Sequence, residues 1–310
     1  MITVENLVYE YPTKRALHGI DLEIGRGRIT ALVGPNGAGK TTLIRCLVAL
    51  HAPFDGRVLF EGTDVHEYPR ETHRRVGYLP DFYGLYDELT VRQCLWYVAA
   101  SQGLEDATAP GRIETAAERL EIADRLDDKA ATLSRGLRQR LAVAQALVHD
   151  PEVLVLDEPA SGLDPESRHH LSQLLCRLRD DGMTLIVSSH ILAELEDYSD
   201  DMVIIQDGRI LETRPVSRRD GAARRFRVAV AGDTSKLIEK LKTMPDVEEV
   251  EVDESGCRFR YRGDREAQRA LLSRLVRSNL PIIEFAEEAE RMQDAYIAAL
   301  RDDRGAKNPS

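Results

Sequence analysis

One stretch limits what this chain can be more than any other: Gly34-Pro35-Asn36-Gly37-Ala38-Gly39-Lys40-Thr41-Thr42, a complete loop of the form G-x-x-x-x-G-K-S/T. The apolar run Ile29–Val33 before it reads as a buried strand, and residues 41–48 after it carry apolar side chains at helical spacing. Strand, loop and helix in that order are what a phosphate cradle needs. Glycines let backbone N–H groups turn inward around phosphate oxygens, and the helix that follows aims its positive N-terminus at them. Lys40 adds a point charge for the outer phosphates. Thr41 offers a hydroxyl to a magnesium ion, which prefers hard oxygen ligands and arrives with the nucleotide.

With 310 residues and 43% hydrophobic content, the chain can bury one good core and has enough left for a second, small domain. Its net charge of −11 repels nucleic acid backbones and anionic headgroups, so no nucleic acid partner is expected. Cys46, Cys94, Cys176 and Cys257 are far apart and form no C-x-x-C pair, which reads as reduced, buried thiols. The histidines show no metal-ligand spacing. Residues 1–6 contain neither a basic stretch nor an apolar targeting region, and nowhere do about 18 uncharged apolar residues run together. A cytoplasmic chain that does not cross a membrane is expected.

Residues 2–10 and 18–24 alternate like strands around the turn residues Pro12-Thr13-Lys14, and 57–60 form another short strand, together an antiparallel sheet at the edge of the nucleotide core. Tyr9 and Tyr11 fall on one face there; an aromatic in that place belongs to the core or stacks on a base ring. Helical spacing over 90–100 and 113–126, separated by a polar stretch over 101–111, predicts a small helical subdomain. Then come Leu133-Ser134-Arg135-Gly136 and a helix over 137–148, with Ser134 as a natural N-cap. The runs 153–156 and 184–187 read as buried parallel strands that end in Asp157-Glu158-Pro159 and Ser188-Ser189-His190. In open α/β sheets, ligands sit at those carboxyl ends. Taken alone, Asp157-Glu158 also suits a helix-capping pair.

The arginine-rich segment 212–225 holds the domain boundary. Beyond it, strand 226–230, helix 234–244, strands 247–252 and 257–261, helix 265–278, strand 282–286 and helix 292–300 follow in an order that resembles a ferredoxin-like domain. No constellation that carries chemistry occurs there.

Taken together, these residues resemble the ATP-binding subunit of an ABC transporter over about residues 2–212. Gly34 to Thr42 matches the Walker A of that family, residues 153–157 its Walker B, and Glu158 its catalytic glutamate. Residues 133–140 match the signature, Ser161-Gly162-Leu163-Asp164 the D-loop, His190 the switch histidine and Tyr11 the adenine-stacking aromatic. Two positions depart: Arg135 stands where the signature usually has Gly, and Asp81 where the family has Gln. The appended domain and the signature variant look more like ATPases of ABC-2-type exporters than of importers.

The fold implied is α/β. It comprises a P-loop NTPase (ABC ATPase) core over 1–212, with an antiparallel β edge subdomain and a helical subdomain over about 82–150. A linker over 213–225, a small α+β ferredoxin-like domain over 226–300 and a disordered tail over 301–310 complete it. By the same resemblance, the cofactors are ATP and Mg2+. Lys40 and the loop from Gly34 to Thr42 hold the phosphates, Thr41, Asp157 and Asp81 serve the metal, Glu158 polarises the attacking water and His190 contacts the terminal phosphate. Ser134 and Gly136 close on ATP held by a second copy, and Asp164 of the D-loop also belongs to the nucleotide-binding set. Integral-membrane permease subunits are the other partners and hold the chain at the cytoplasmic face of the membrane. A soluble ABC ATPase of iron–sulfur assembly competes with this reading, but it would not need residues 226–300.

Overall fold

The computed structural model describes residues 2–288 apart from 197, 217–222, 233, 245, 254–255, 264 and 279. They fall into two compact units, the first of which runs through Val216.

The first unit contains two sheets. β1 (Ile2–Tyr11), β2 (Lys14–Ile24), β4 (Asp55–Phe60) and β5 (Thr63–Asp64) pair antiparallel in the order β2-β1-β4-β5. β3 (Ile29–Val33), β6 (Val76–Leu79), β7 (Val153–Asp157), β8 (Thr184–Ser189), β9 (Asp201–Gln206) and β10 (Arg209–Pro215) form the other, ordered β10-β9-β3-β8-β7-β6 and parallel except for β10. Parallel strands covered on both faces need apolar side chains on both. Every residue of β3, β7 and β8 is accordingly buried.

Helix α1 (Lys40–Leu47) follows β3, and its Leu43, Ile44 and Leu47 share one cluster of buried side chains with Leu7, Leu17 and Ile20 of the antiparallel sheet and Leu32, Val155 and Ile186 of the parallel one. That shared core fixes the glycine-rich loop in space. α2 (Pro69–Arg75) leads into β6. α3 (Val91–Ser101) starts with a capping box, in which Gln93 N donates to Thr90 Oγ1 at 3.2 Å and Thr90 N donates to Gln93 Oε1 at 2.9 Å. α4 (Ala109–Arg119), α5 (Arg135–Leu147), α6 (Pro165–Asp180) and the single turn α7 (Leu192–Leu195) complete the unit.

The apolar spacing over 113–126 overstates α4, which starts earlier and stops at Arg119. Glu121, at φ 53°, turns the chain out of the helix, while Leu120, Ile122 and Leu126 stay buried and so prolong the helix-like pattern. The division between the units, after Val216, lies within the expected linker over 213–225, but strands shorten that linker from both ends. Thr213, Arg214 and Pro215 still pair with Val203, Met202 and Asp201, and the next strand begins at Ala223. Cys46, Cys94 and Cys257 are buried and Cys176 is partly so, none of them in a disulfide; burial pushes the Cys46 thiol up to about 12.

The second unit runs β11 (Ala223–Val230), α8 (Ser235–Lys242), β12 (Val247–Val252), β13 (Gly256–Arg262), α9 (Arg265–Arg277) and β14 (Ile282–Glu288). Its sheet is antiparallel in the order β12-β13-β11-β14. Alternation along a strand sends successive side chains to opposite faces. Phe226, Val228, Cys257, Phe259 and Tyr261 therefore pack with Leu237, Leu241, Leu271 and Leu275 of the helices. On the other face Arg227 and Arg258 share Asp253 at 3.1 and 3.4 Å, and Arg260 meets Glu249 at 3.3 Å. The expected helix over 292–300 and the tail after it lie outside the described residues.

Candidate functional site

The loop between β3 and α1 is held against its neighbours by backbone. Gly34 lies so close to β9 that a Cβ there would sit 2.2 Å from the Ile205 carbonyl oxygen, and Gly39 caps α1 at φ 110°, in the left-handed region. No acidic side chain stands in the first turn of α1. The free N–H groups of a helix N-terminus and its positive end are thus left for an anion.

Lys40 opens that helix and is 6% exposed. Its Nζ donates to the carbonyls of Gly34 at 2.8 Å and Pro35 at 3.4 Å, and lies 3.5 Å from Glu158 Oε1. The other carboxylate oxygen of Glu158 accepts from His190 Nδ1 at 2.7 Å. Glu158 is thereby oriented from two sides, and it sits at φ 51°, a backbone setting uncommon for a side chain of its size.

β7 and β8 bring Asp157 opposite Ser188. The Ser188 hydroxyl donates to Asp157 Oδ1 at 2.5 Å and accepts from the Glu158 N–H at 2.9 Å. One buried hydroxyl therefore positions both acidic residues. The sequence names Ser188 as the end of a strand, and only the strand register reveals this bridge. Asp157 is 1% exposed, and its Oδ2 is buried with no hydrogen-bond partner. Such an orphan carboxylate oxygen is costly unless something absent from the chain satisfies it.

A cleft of about 400 Å³ opens above these residues. It is lined by Tyr11, Lys14 and Arg15 on one side, Pro35, Asn36, Gly37, Gly39, Lys40, Thr41 and Thr42 below, and Asp81 and Glu158 on the other. Tyr11 reaches it from the end of β1, with its hydroxyl 3.3 Å from Thr42 Oγ1; Tyr9, one pleat away, stacks on His51 instead, with ring centroids 4.9 Å apart. The Asp81 carboxyl is held above the usual carboxylate range by partial burial and by the nearby Asp157 and Glu158, against the opposing pull of His190 and Lys40. Gly34 and Ala38 are buried beneath the loop rather than lining the cleft.

Ser134, Gly136 and Asp164 do not line this cleft. Ser134 caps α5, accepting from the Leu137 N–H at 3.3 Å. Asp164 caps α6, accepting from the Ser167 N–H at 2.9 Å and the Ser167 hydroxyl at 2.7 Å. Gly136 is buried against that same serine, since a Cβ on it would meet Ser167 Oγ at 2.6 Å. Among the described residues no cluster of three or more His, Cys, Asp or Glu side chains is arranged to hold a metal by itself. No helix of the described residues is long and apolar enough to cross a membrane.

A family model described as ABC transporter matches residues 17–161. The ABC transporter ATP-binding protein NatA of Bacillus subtilis (strain 168) is 32% identical over 216 residues, which cover 68% of this chain and 88% of NatA. The bacitracin transport ATP-binding protein BcrA of Bacillus licheniformis is 28% identical over 302 residues, or 97% of each chain. Among solved structures, cbiO1 from Clostridium perfringens, part of the ABC transporter complex cbiONQ, is similar with a TM-score of 0.64 and 30% identity over 69% of this chain and 88% of its own.

Proposed function

We propose, from the premise that this chain belongs to the ABC transporter family, that it is the ATP-hydrolysing subunit of an exporter and works as a dimer on separate membrane permease subunits. As a member of that family it is an ATPase. The observation that carries the rest is the chain of contacts from Lys40 through Glu158 to His190, set beside a buried Asp157 with one oxygen unpartnered.

Lys40 exchanges the carbonyls of Gly34 and Pro35 for phosphate oxygens, beside the N–H groups of the loop. Glu158, fixed between Lys40 and His190, takes the proton of the attacking water, and His190 lies on the open side of that carboxylate. Such positioning and charge placement account for most of the catalysis in phosphoryl transfer. The residues present fit magnesium: the orphan Asp157 Oδ2, the Thr41 hydroxyl and Asp81 are hard oxygen donors, and the lack of a preformed cluster suits an ion that brings water and phosphate ligands with it. Bound there, magnesium would neutralise charge that builds on the phosphates. Tyr11 stands where it can stack on the base.

Ser134, Gly136 and Asp164 are placed away from the chain's own cleft, and this reading assigns them to ATP held by a second copy. Phe82, 91% exposed, and Tyr86 follow Asp81 and offer the docking surface for the permease. The match to BcrA, a bacitracin transport ATP-binding protein, extends through the second unit and supports a transport role for the chain as a whole. The second unit, whose strand and helix order is read as ferredoxin-like, has a regulatory or dimer-stabilising part.

Glu158→Gln protein tests the dimer, because it keeps the shape of the side chain but should not consume the nucleotide. With ATP and magnesium it is expected to elute as a dimer in size-exclusion chromatography. Adding Ser134→Asp keeps the helix cap, since Asp caps as well as Ser, but turns a negative charge toward the partner's phosphates. That double variant is expected to bind ATP as a monomer. A dimer that persists in it contradicts the second-copy assignment.

A further inference from the structure

Arg135 is the residue of the signature turn that the reading above leaves without a part. Its side chain does not point to the cleft of its own chain. It lies across Gly162, where a Cβ would meet Nη2 at 1.9 Å and Cζ at 2.5 Å, and Nη2 donates to the Ser161 carbonyl at 3.4 Å. Gly162 is thus the floor on which the guanidinium rests, and a side chain there would displace it.

The loop under Arg135 starts at Glu158. Two backbone bonds fold it, Ser161 N to the Glu158 carbonyl at 3.1 Å and Leu163 N to the Ala160 carbonyl at 3.2 Å. A displacement of Ser161 or Gly162 therefore passes to the backbone of Glu158 through one turn. The next residue of the signature, Gly136, is packed on Ser167, which Asp164 binds twice. The turn 134–136 and the loop 158–164 are held together at both ends, by the arginine at one and the glycine–serine contact at the other.

We infer that Arg135 is a positioning residue that ties the signature turn to the loop carrying Glu158, so that closure of Ser134 and Gly136 on a partner's nucleotide sets the carboxylate in the chain's own site. This rests on the second-copy reading given above. A guanidinium suits the task because its planar fork covers a flat backbone surface and donates to a carbonyl at once, whereas a lysine ammonium is a point charge.

Full-length Arg135→Ala and Arg135→Lys proteins test it with two measurements. The first is amide hydrogen exchange over residues 158–164 without nucleotide, where Arg135→Ala should exchange faster than wild type and Arg135→Lys should fall between. The second is phosphate release across a range of ATP concentrations. For Arg135→Ala, turnover should fall about tenfold, the effect of one lost charged hydrogen bond, and the half-saturating ATP concentration should stay within about twofold. The dependence on ATP should change from sigmoidal to hyperbolic, with partial recovery in Arg135→Lys. Unchanged exchange in Arg135→Ala overturns the anchoring, and faster exchange with unchanged turnover and a curve that stays sigmoidal overturns the coupling. Wild-type protein without ATP-driven dimerisation contradicts the second-copy reading instead, and the exchange measurement then still decides the anchoring.

Discussion

The first unit carries two clefts at opposite ends of its parallel strands, and they differ in how their charges are satisfied. At the amino ends of β7 and β8 lies a space of about 280 Å³ lined by Ile2, Arg26, Phe60, Arg119, Asp150 and Glu152. Four of the five charged residues that line it, all but Asp181, are paired within the chain: Arg26 with Glu61 at 2.8 Å, Arg119 with Asp150, which Arg112 also meets, and Glu152 with Arg75 at 2.7 Å. At the carboxyl ends, Lys40 rests on its own loop's carbonyls, Asp157 keeps an unpartnered buried oxygen, and the carboxyl of Asp81 is pushed up by partial burial and by its acidic neighbours. A cleft closed by its own ion pairs has little to gain from a ligand. One that buries charges without full compensation is a functional candidate with a physical reason.

The comparison breaks most visibly at Lys40. Lys40→Ala removes a buried charge that the proposed function assigns to phosphates, so ATP affinity should fall about 10- to 100-fold, in line with a charged hydrogen bond, as read by titration with a fluorescent ATP analogue. Equal affinity would mean that the two clefts do not differ in the way described. At the other cleft, Arg119→Ala leaves Asp150 with Arg112, and the Arg119 and Asp150 side chains are 32% and 40% exposed, so the loss of stability should stay below about 1 kcal/mol in urea unfolding and ATP turnover should not change. A larger loss would show that this cleft, too, depends on its charges. Removing everything after Val216 should have the smallest effect, because the lining of both clefts comes from earlier residues. The cut belongs after Val216, since Pro215 still pairs with Asp201 and the Val216 N–H donates to the Asp200 carbonyl. ATP affinity of the folded truncated chain should stay within about twofold of wild type; a complete loss would give the second unit a direct part in the nucleotide site.

Much of the candidate site is legible in the sequence because it is local. The loop from Gly34 to Thr42 needs only its own glycines, its lysine and the flanking periodicity, and the acidic pair at 157–158 and the histidine at 190 announce themselves as polar ends of buried runs. What stayed hidden depends on register between distant segments. Ser188 lies 31 positions from Asp157 and becomes its partner only when β7 and β8 align. Arg135 reaches Gly162 across a similar gap. The end of α4 was hidden for another reason: apolar residues beyond Arg119 keep a helical spacing after the backbone has left the helix at Glu121. Tyr9 and Tyr11 share a strand face, and only the position of His51 and Thr42 decides which of them turns to the cleft.

The most direct measurement of the central claim is the rate of phosphate release from ATP by Glu158→Gln beside wild type, with ATP binding measured on the same samples. Removing the basic oxygen while keeping size and hydrogen bonding should lower turnover roughly 10²- to 10⁴-fold, the range for a lost acid–base group, and leave ATP affinity within about threefold. A Glu158→Gln protein that hydrolyses ATP at the wild-type rate would contradict the account.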